Sequence, residues 1–323
     1  MYALQMVTLG DPTEVVKLVE LPNPPAPGDD EALVAIEYAP INNSVLLMIR
    51  GLYGVRPSLP AGVGNEGVGR VLALGKAVSH LKVDDRVVIP PAYYSWRERM
   101  TLPAKDLFAL PANADPQQLS MLYINPPTAV LLLSERVQLS PGDWVIQNAG
   151  NSGVGRWVIA FARDRGLKTV SLVRRPEVVQ ELTAAGADVV LVDGEGIAER
   201  AAEATGHAQI MLALDGVAGS AMLSLTGSLS PGGMLVVYAF MSEQPGLANP
   251  RDIIFRGVTI CGFWLESPEI RNSPKLVEAI KAGARLVAEG KVRMPIAAVY
   301  PLTAAKEALA HALKGGKVLF QCS

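Results

Sequence analysis

Residues 148–155 read Asn-Ala-Gly-Asn-Ser-Gly-Val-Gly, between an apolar run at 144–147 and a stretch of helical spacing at 153–165. Glycine lets the backbone turn tightly and lets a charged group approach it closely. A helix that starts there adds unpaired N–H groups and the positive end of its dipole. Strand, glycines and helix in that order make a seat for a pyrophosphate, with Asn151, Ser152, Gly153 and Val154 as the candidate contacts. The next apolar run ends in Val173-Arg174-Arg175-Pro176-Glu177. A site for NAD places an acid near this point, where it accepts from the ribose 2′-hydroxyl. Here two guanidiniums stand instead, and their charge and forked donors suit a 2′-phosphate. The cofactor expected is therefore NADPH, with Arg174 and Arg175 at its phosphate. The plainer reading of the same pair is a solvated basic turn.

The remaining reactive residue types are sparse. Cys261 and Cys322 are the only cysteines, and His80, His207 and His311 the only histidines. Neither set has the spacing of a zinc site, so no metal is expected. Two reduced thiols and a first stretch, 1–19, without the basic and apolar regions of a signal peptide lead us to expect a cytoplasmic protein. The 323 residues carry 29 basic and 31 acidic side chains, a balance with no global pull toward nucleic acid or an anionic membrane. Apolar runs such as 129–133 are too short to span a bilayer. Half the residues are hydrophobic, enough to bury a core in each of two domains.

These residues need elements to hold them. Up to about residue 116 the chain is rich in breakers, with short strands expected at 15–21, 32–38, 67–74 and 86–90. This is the pattern of a mainly β domain with partly open barrel character. From about 115 to 263 strand-length apolar runs at 144–149, 169–173, 189–192, 210–214, 234–239 and 258–262 alternate with helical stretches. Such alternation implies a parallel sheet covered on both faces, with ligands at the carboxyl ends of its strands. Amphipathic helices at 275–289 and 303–313 and a short strand at 318–320 follow, the last placed to complete the first domain.

Several segments together carry a resemblance. They are Gly51-Leu52-Tyr53-Gly54, Gly64-Asn65-Glu66-Gly67-Val68, Asn125-Pro126-Pro127-Thr128-Ala129, Asn151-Ser152-Gly153-Val154-Gly155, Gly262-Phe263-Trp264-Leu265 and Gly316-Lys317-Val318-Leu319. On them the chain resembles the medium-chain dehydrogenase/reductase superfamily, and within it the zinc-independent, mitochondrial-type trans-2-enoyl thioester reductases. The resemblance implies a Rossmann domain, a doubly wound parallel sheet, at 119–263. It implies a discontinuous, mainly β, GroES-like substrate domain at 1–118 and 264–323. Zinc-dependent relatives carry a histidine where Asn65 stands.

Tyr53 becomes the proton donor by this resemblance. Hydride addition to the β-carbon of an enoyl thioester leaves an enolate, whose α-carbon needs a proton that a positioned phenol can supply. The other carry-overs are cofactor contacts. Asn125 and Arg174 match directly, and Arg175 more loosely. Tyr238, Ala239, Phe240 and Met241 occupy the place of a glycine-containing cofactor loop. Phe263, Trp264 and Leu265 match the segment beside nicotinamide and substrate, although Phe263 and Leu265 also read simply as core. Lys317 matches a lysine near the cofactor phosphate, and otherwise reads as a solvated turn lysine. Asn42-Asn43-Ser44-Val45 stands where the family has Asn-Pro-Ser-Asp, a change expected to loosen the loop or remove a polar contact.

The expected substrate is an enoyl thioester of acyl carrier protein or coenzyme A, an acidic carrier docking near Arg50 and Arg56. A quinone or other α,β-unsaturated carbonyl is the alternative substrate, and a non-catalytic NADPH-binding sensor the alternative of another kind. The resemblance also implies a homodimer formed through sheet edges, with 258–262 as the edge strand.

Overall fold

Apolar runs broken by glycine and proline become fifteen strands in a computed structural model that describes residues 1–323. In chain order the first seven are β1 (Tyr2–Met6), β2 (Val16–Glu20), β3 (Glu31–Pro40), β4 (Ala61–Gly62), β5 (Gly67–Leu74), β6 (Arg86–Ile89) and β7 (Arg99–Pro103). They are followed by β8 (Trp144–Gln147), β9 (Lys168–Val173), β10 (Val189–Val192), β11 (Ile210–Asp215), β12 (Met234–Val237), β13 (Thr259–Gly262), β14 (Ala298–Pro301) and β15 (Val318–Gln321). The helices that matter below are α1 (Asn43–Ile49), α2 (Asn125–Ser134), α3 (Gly153–Asp164), α4 (Pro250–Arg256) and α5 (Pro274–Ala288). No helix is long and apolar enough to cross a membrane.

The chain divides into two units, Met1–Ile124 with Ile280–Ser323, and Asn125–Ala279. The divisions differ from the expected 118/119 and 263/264. The later one falls inside α5, a continuous helix that no turn residue marks for a reader of the sequence.

In the first unit β3 is the organising strand. Its side chains alternate buried and half-exposed along most of its length, as a strand packed on one face requires. It pairs antiparallel with β5, β7 and β15, so the C-terminal strand closes a sheet begun near the N-terminus. A second, three-stranded sheet has the order β2-β1-β4. The core includes Trp96 and Phe320, whose rings meet edge to face at 5.0 Å. Helix α1 lies over residues in which the sequence predicts no element. Val45, where the family has an acid, is only 1% exposed and part of this core, so the segment is packed rather than loose at that position.

The second unit is a six-stranded, all-parallel sheet in the order β10-β9-β8-β11-β12-β13. Numbered within the sheet this is 3-2-1-4-5-6, the Rossmann order. Burial explains the residue choice. β9 is buried from Thr169 through Val173, the polar Thr169 and Ser171 included, so its burial is continuous rather than alternating, as a strand covered on both faces requires. The order reverses between β8 and β11, and in open sheets of this kind ligands bind at such a switch point, beyond the carboxyl ends of the strands.

Candidate active site

At the switch point the chain leaves β8 through Asn148 and Ala149 and enters α3 at Gly153. Ser152 is the N-cap of α3, and its Oγ accepts from the N–H of Gly155 at 3.1 Å. The glycines are required by contact. A Cβ on Gly155 would lie 2.6 Å from the Ala149 carbonyl oxygen, and one on Gly153 would lie 2.7 Å from Asn125 Nδ2. Asn125, the first residue of α2, is buried against the turn for that reason. Asn151, Ser152, Gly153, Val154 and Asn125 are thus brought together.

A polar fastening behind the turn was not legible in advance. Asn148 Nδ2 donates to Asp215 Oδ1 at 2.5 Å, and Asn148 Oδ1 accepts from the N–H of Gly216 at 2.8 Å. The same Asp215 oxygen takes the N–H groups of Val217 and Ala218 at 2.9 and 3.0 Å. The loops after β8 and β11 are therefore tied at the switch point. The available signal was a polar residue ending each of two apolar strands.

Tyr238 follows β12, and its Oη is buried without a well-formed hydrogen bond. Burial pushes this phenol well above its ordinary value; the nearby Ser152 hydroxyl opposes the shift and Asp215 adds to it. Ala239 is half-buried, while Phe240 and Met241 are exposed, Phe240 by 39%. Arg174 and Arg175 stand exposed past the tip of β9, and neither is ion-paired. Arg156, in the first turn of α3, donates to the Asn151 carbonyl and pairs with Glu181 at 2.8 Å. Phe263 and Leu265 are buried, and Trp264 between them is partly exposed.

These features fit a dinucleotide. The cradle has no room for a Cβ at two positions and presents a helix start. It keeps an underused buried phenol beside the N-cap serine, and no acid contests the arginines at the β9 tip.

In the first unit Tyr53 is delivered by helix α1. The helix ends in a Schellman turn: Gly51, at φ +76°, donates to the Met48 carbonyl, and Leu52 donates to that of Leu47. Arg56 donates to the Gly51 carbonyl at 3.3 Å and braces the turn. Tyr53 follows directly, half-buried against the core of the unit.

At the other end of α1, Asn42 joins a buried network. Its Nδ2 donates to Glu66 Oε1 at 2.6 Å, and its Oδ1 accepts from Lys317 Nζ at 2.6 Å. Lys317 is thus half-buried on a side-chain partner and is not the solvated turn lysine of the plainer reading. Asn65 donates to Ser44 Oγ at 2.8 Å. No three histidine, cysteine or carboxylate side chains are gathered where they could hold a metal ion.

The chain is 38% identical over 312 residues to the mouse (Mus musculus) protein named mitochondrial enoyl-[acyl-carrier-protein] reductase, covering 94% of this chain and 83% of the relative. It belongs to the medium-chain dehydrogenase/reductase superfamily. Two family models agree: an alcohol dehydrogenase GroES-like domain matches residues 28–111, and a zinc-binding dehydrogenase matches 153–288. Among solved structures, this superfamily member is similar to the complex of Etr1p, the mitochondrial 2-enoyl thioester reductase of Candida tropicalis, with NADP and crotonyl-CoA. The TM-score is 0.88 at 25% identity, over 99% of each chain. A putative NADPH:quinone reductase from Bacillus thuringiensis matches with a TM-score of 0.89 at 25% identity, over 100% and 99%.

The names correct one expectation. A cytoplasmic location does not stand, because the near-full-length relative is named as mitochondrial. Reduced cysteines point to a reducing compartment without saying which one.

Proposed function

We propose that this protein is an NADPH-dependent 2-enoyl thioester reductase that saturates the 2,3 double bond of an acyl carrier protein or coenzyme A thioester. The observation that carries the reading is the near-full-length likeness to an enoyl-[acyl-carrier-protein] reductase. The geometry supports it at both ends of the reaction. In the second unit, the α3 start with Asn151 to Val154 holds the pyrophosphate, and Arg174, with Arg175 beside it, holds the 2′-phosphate. Asn125, the 238–241 loop and residues 263–265 line the rest of the cofactor seat. When bound, the reduced nicotinamide supplies a hydride for the β-carbon of the substrate. In the first unit, Tyr53 gives the α-carbon its proton. Its loop is fixed by the Schellman turn, so the phenol is aimed at little entropic cost.

The putative quinone reductase of equal structural likeness favours a second reading, reduction of a quinone or another activated alkene. One assay separates the two. NADPH oxidation is followed with crotonyl-CoA, a longer enoyl thioester and a simple quinone, for wild type and Tyr53→Phe. We expect enoyl thioester turnover that falls on the order of 10²-fold or more in the variant. Turnover of the quinone alone, indifferent to the substitution, would replace the first reading by the second. We further propose a homodimer that pairs β13 with its copy.

A further inference from the structure

Asn42 stands at the N-cap of α1, yet its side chain caps nothing. An N-cap asparagine normally accepts from the N–H two or three residues on. Here the amide is used elsewhere. Glu66 only accepts when ionised and Lys317 only donates, so Asn42 between them has one possible orientation, Nδ2 to the carboxylate and Oδ1 to the ammonium. Asn42 Nδ2 also reaches Asn65 Oδ1 at 3.1 Å.

Glu66 is 0% exposed. Its second oxygen, Oε2, accepts from the backbone N–H of Tyr123 at 2.8 Å and of Ile124 at 3.0 Å. Burial pushes its carboxyl up against the opposing pull of Lys317, Asn42 and the two N–H groups. Burial likewise pushes Lys317 down, with Glu66 opposing. A buried acid joined through a buried amide to a half-buried base is a costly way to fill a core, and apolar residues of like volume would fill it more stably. The arrangement is better explained by what it fastens. It holds the start of α1, whose far end delivers Tyr53. It holds Lys317, at the entry to β15. It also holds the two residues that precede Asn125.

We propose that Glu66 is a positioning residue for the reaction, acting through Asn42 on Lys317 and α1, and through two backbone N–H groups on the segment leading to Asn125. This rests on the reductase reading above, in which Asn125 contacts NADPH and Tyr53 gives the proton, and on the resemblance that sets Lys317 near the cofactor phosphate.

The test is Glu66→Gln. The replacement amide keeps one acceptor and turns an N–H toward either Asn42 or the backbone donors. We expect the NADPH dissociation constant, from fluorescence titration, to rise about tenfold, the size of one lost charge-assisted hydrogen bond. We also expect faster hydrogen exchange at the Tyr123 and Ile124 amides, with the amides of the parallel sheet unmoved. A purely structural role would lower thermal stability without this change in affinity. A double-mutant cycle with Lys317→Met should be non-additive, because Glu66 acts partly through that lysine.

If Glu66→Gln does not fold, Asn42→Ala leaves the backbone clamp in place. It should weaken NADPH binding without the exchange change. A wild type that binds NADPH, with either variant binding it equally well, overturns the assignment and leaves the function standing. Strict additivity in the cycle overturns it too. A wild type that binds no NADPH overturns the reductase reading and the assignment with it.

Discussion

In the proposed reductase, Arg174 is the residue that selects the nicotinamide cofactor. It is exposed, it has no carboxylate partner, and it follows the strand whose tip holds an acid in NAD sites. A guanidinium in that state is ready for a phosphate at no cost of breaking an internal pair. Replacing it by alanine should raise the KM for NADPH by roughly 10- to 100-fold, given about 1.5–3 kcal/mol for hydrogen bonds to a charged group. The KM for NADH, which has no 2′-phosphate, should change little. Steady-state kinetics with both cofactors check this, and equal effects would return Arg174 to a solvated turn. Arg175 should give the weaker effect, since it begins the next turn and matches the family pattern less closely. Phe240 is a different case, an exposed aromatic where relatives have a glycine-containing loop. In the proposed cofactor seat its side chain contributes shape rather than charge.

Helix α1 decides how well Tyr53 is held, and Gly51 decides how α1 ends. At φ +76° an alanine is strained, and its Cβ would come within 3.0 Å of Leu9 Cδ1. Gly51→Ala should cost about 1–2 kcal/mol, measurable by denaturant unfolding, since alanine at positive φ and a tight contact each destabilise. It should also lower kcat more than it raises the KM for NADPH, because the turn aims the phenol. An unchanged kcat would mean that the loop tolerates a rebuilt turn. That helix was hidden in the sequence. Residues 43–49, Asn-Ser-Val-Leu-Leu-Met-Ile, are buried from Val45 to Ile49, so no polar face reveals a period. The parallel strands were legible for the opposite reason: β-branched runs of strand length bounded by glycine leave little alternative. The glycine turn was legible because its chemistry is local. Tyr53 and Lys317 came only through resemblance, and the network that joins Glu66, Asn42 and Lys317 came from neither source. Asn42 meets residues 24 and 275 positions away in the chain, and no spacing rule spans that distance.

At the scale of the whole molecule the open question is what covers the end of the parallel sheet. β13 pairs with β12 on one side and is the last strand of that sheet. Its sequence, Thr-Ile-Cys-Gly, contains no charge and no proline of the kind that protects an edge from pairing. Just before it, α4 exposes Ile254 by 69% and Phe255 by 77%. The opposite edge, β10, has no large exposed hydrophobic in the helices that flank it in sequence. Exposed apolar side chains beside an unprotected edge mark an association surface. A second copy of the chain supplies both what the edge needs and what the apolar residues need, since a two-fold axis sets like against like. Light scattering should therefore give twice the 34.2 kDa chain mass. Ile254→Lys with Phe255→Glu should move the protein toward the monomer at micromolar concentration. If both side chains are buried between copies, each contributes about 1.5–3 kcal/mol, and losing both weakens association by at least ~10²-fold. A wild type of single-chain mass would remove the dimer. A double variant that stays dimeric would move the interface away from α4 and β13, and the edge would then need another cover.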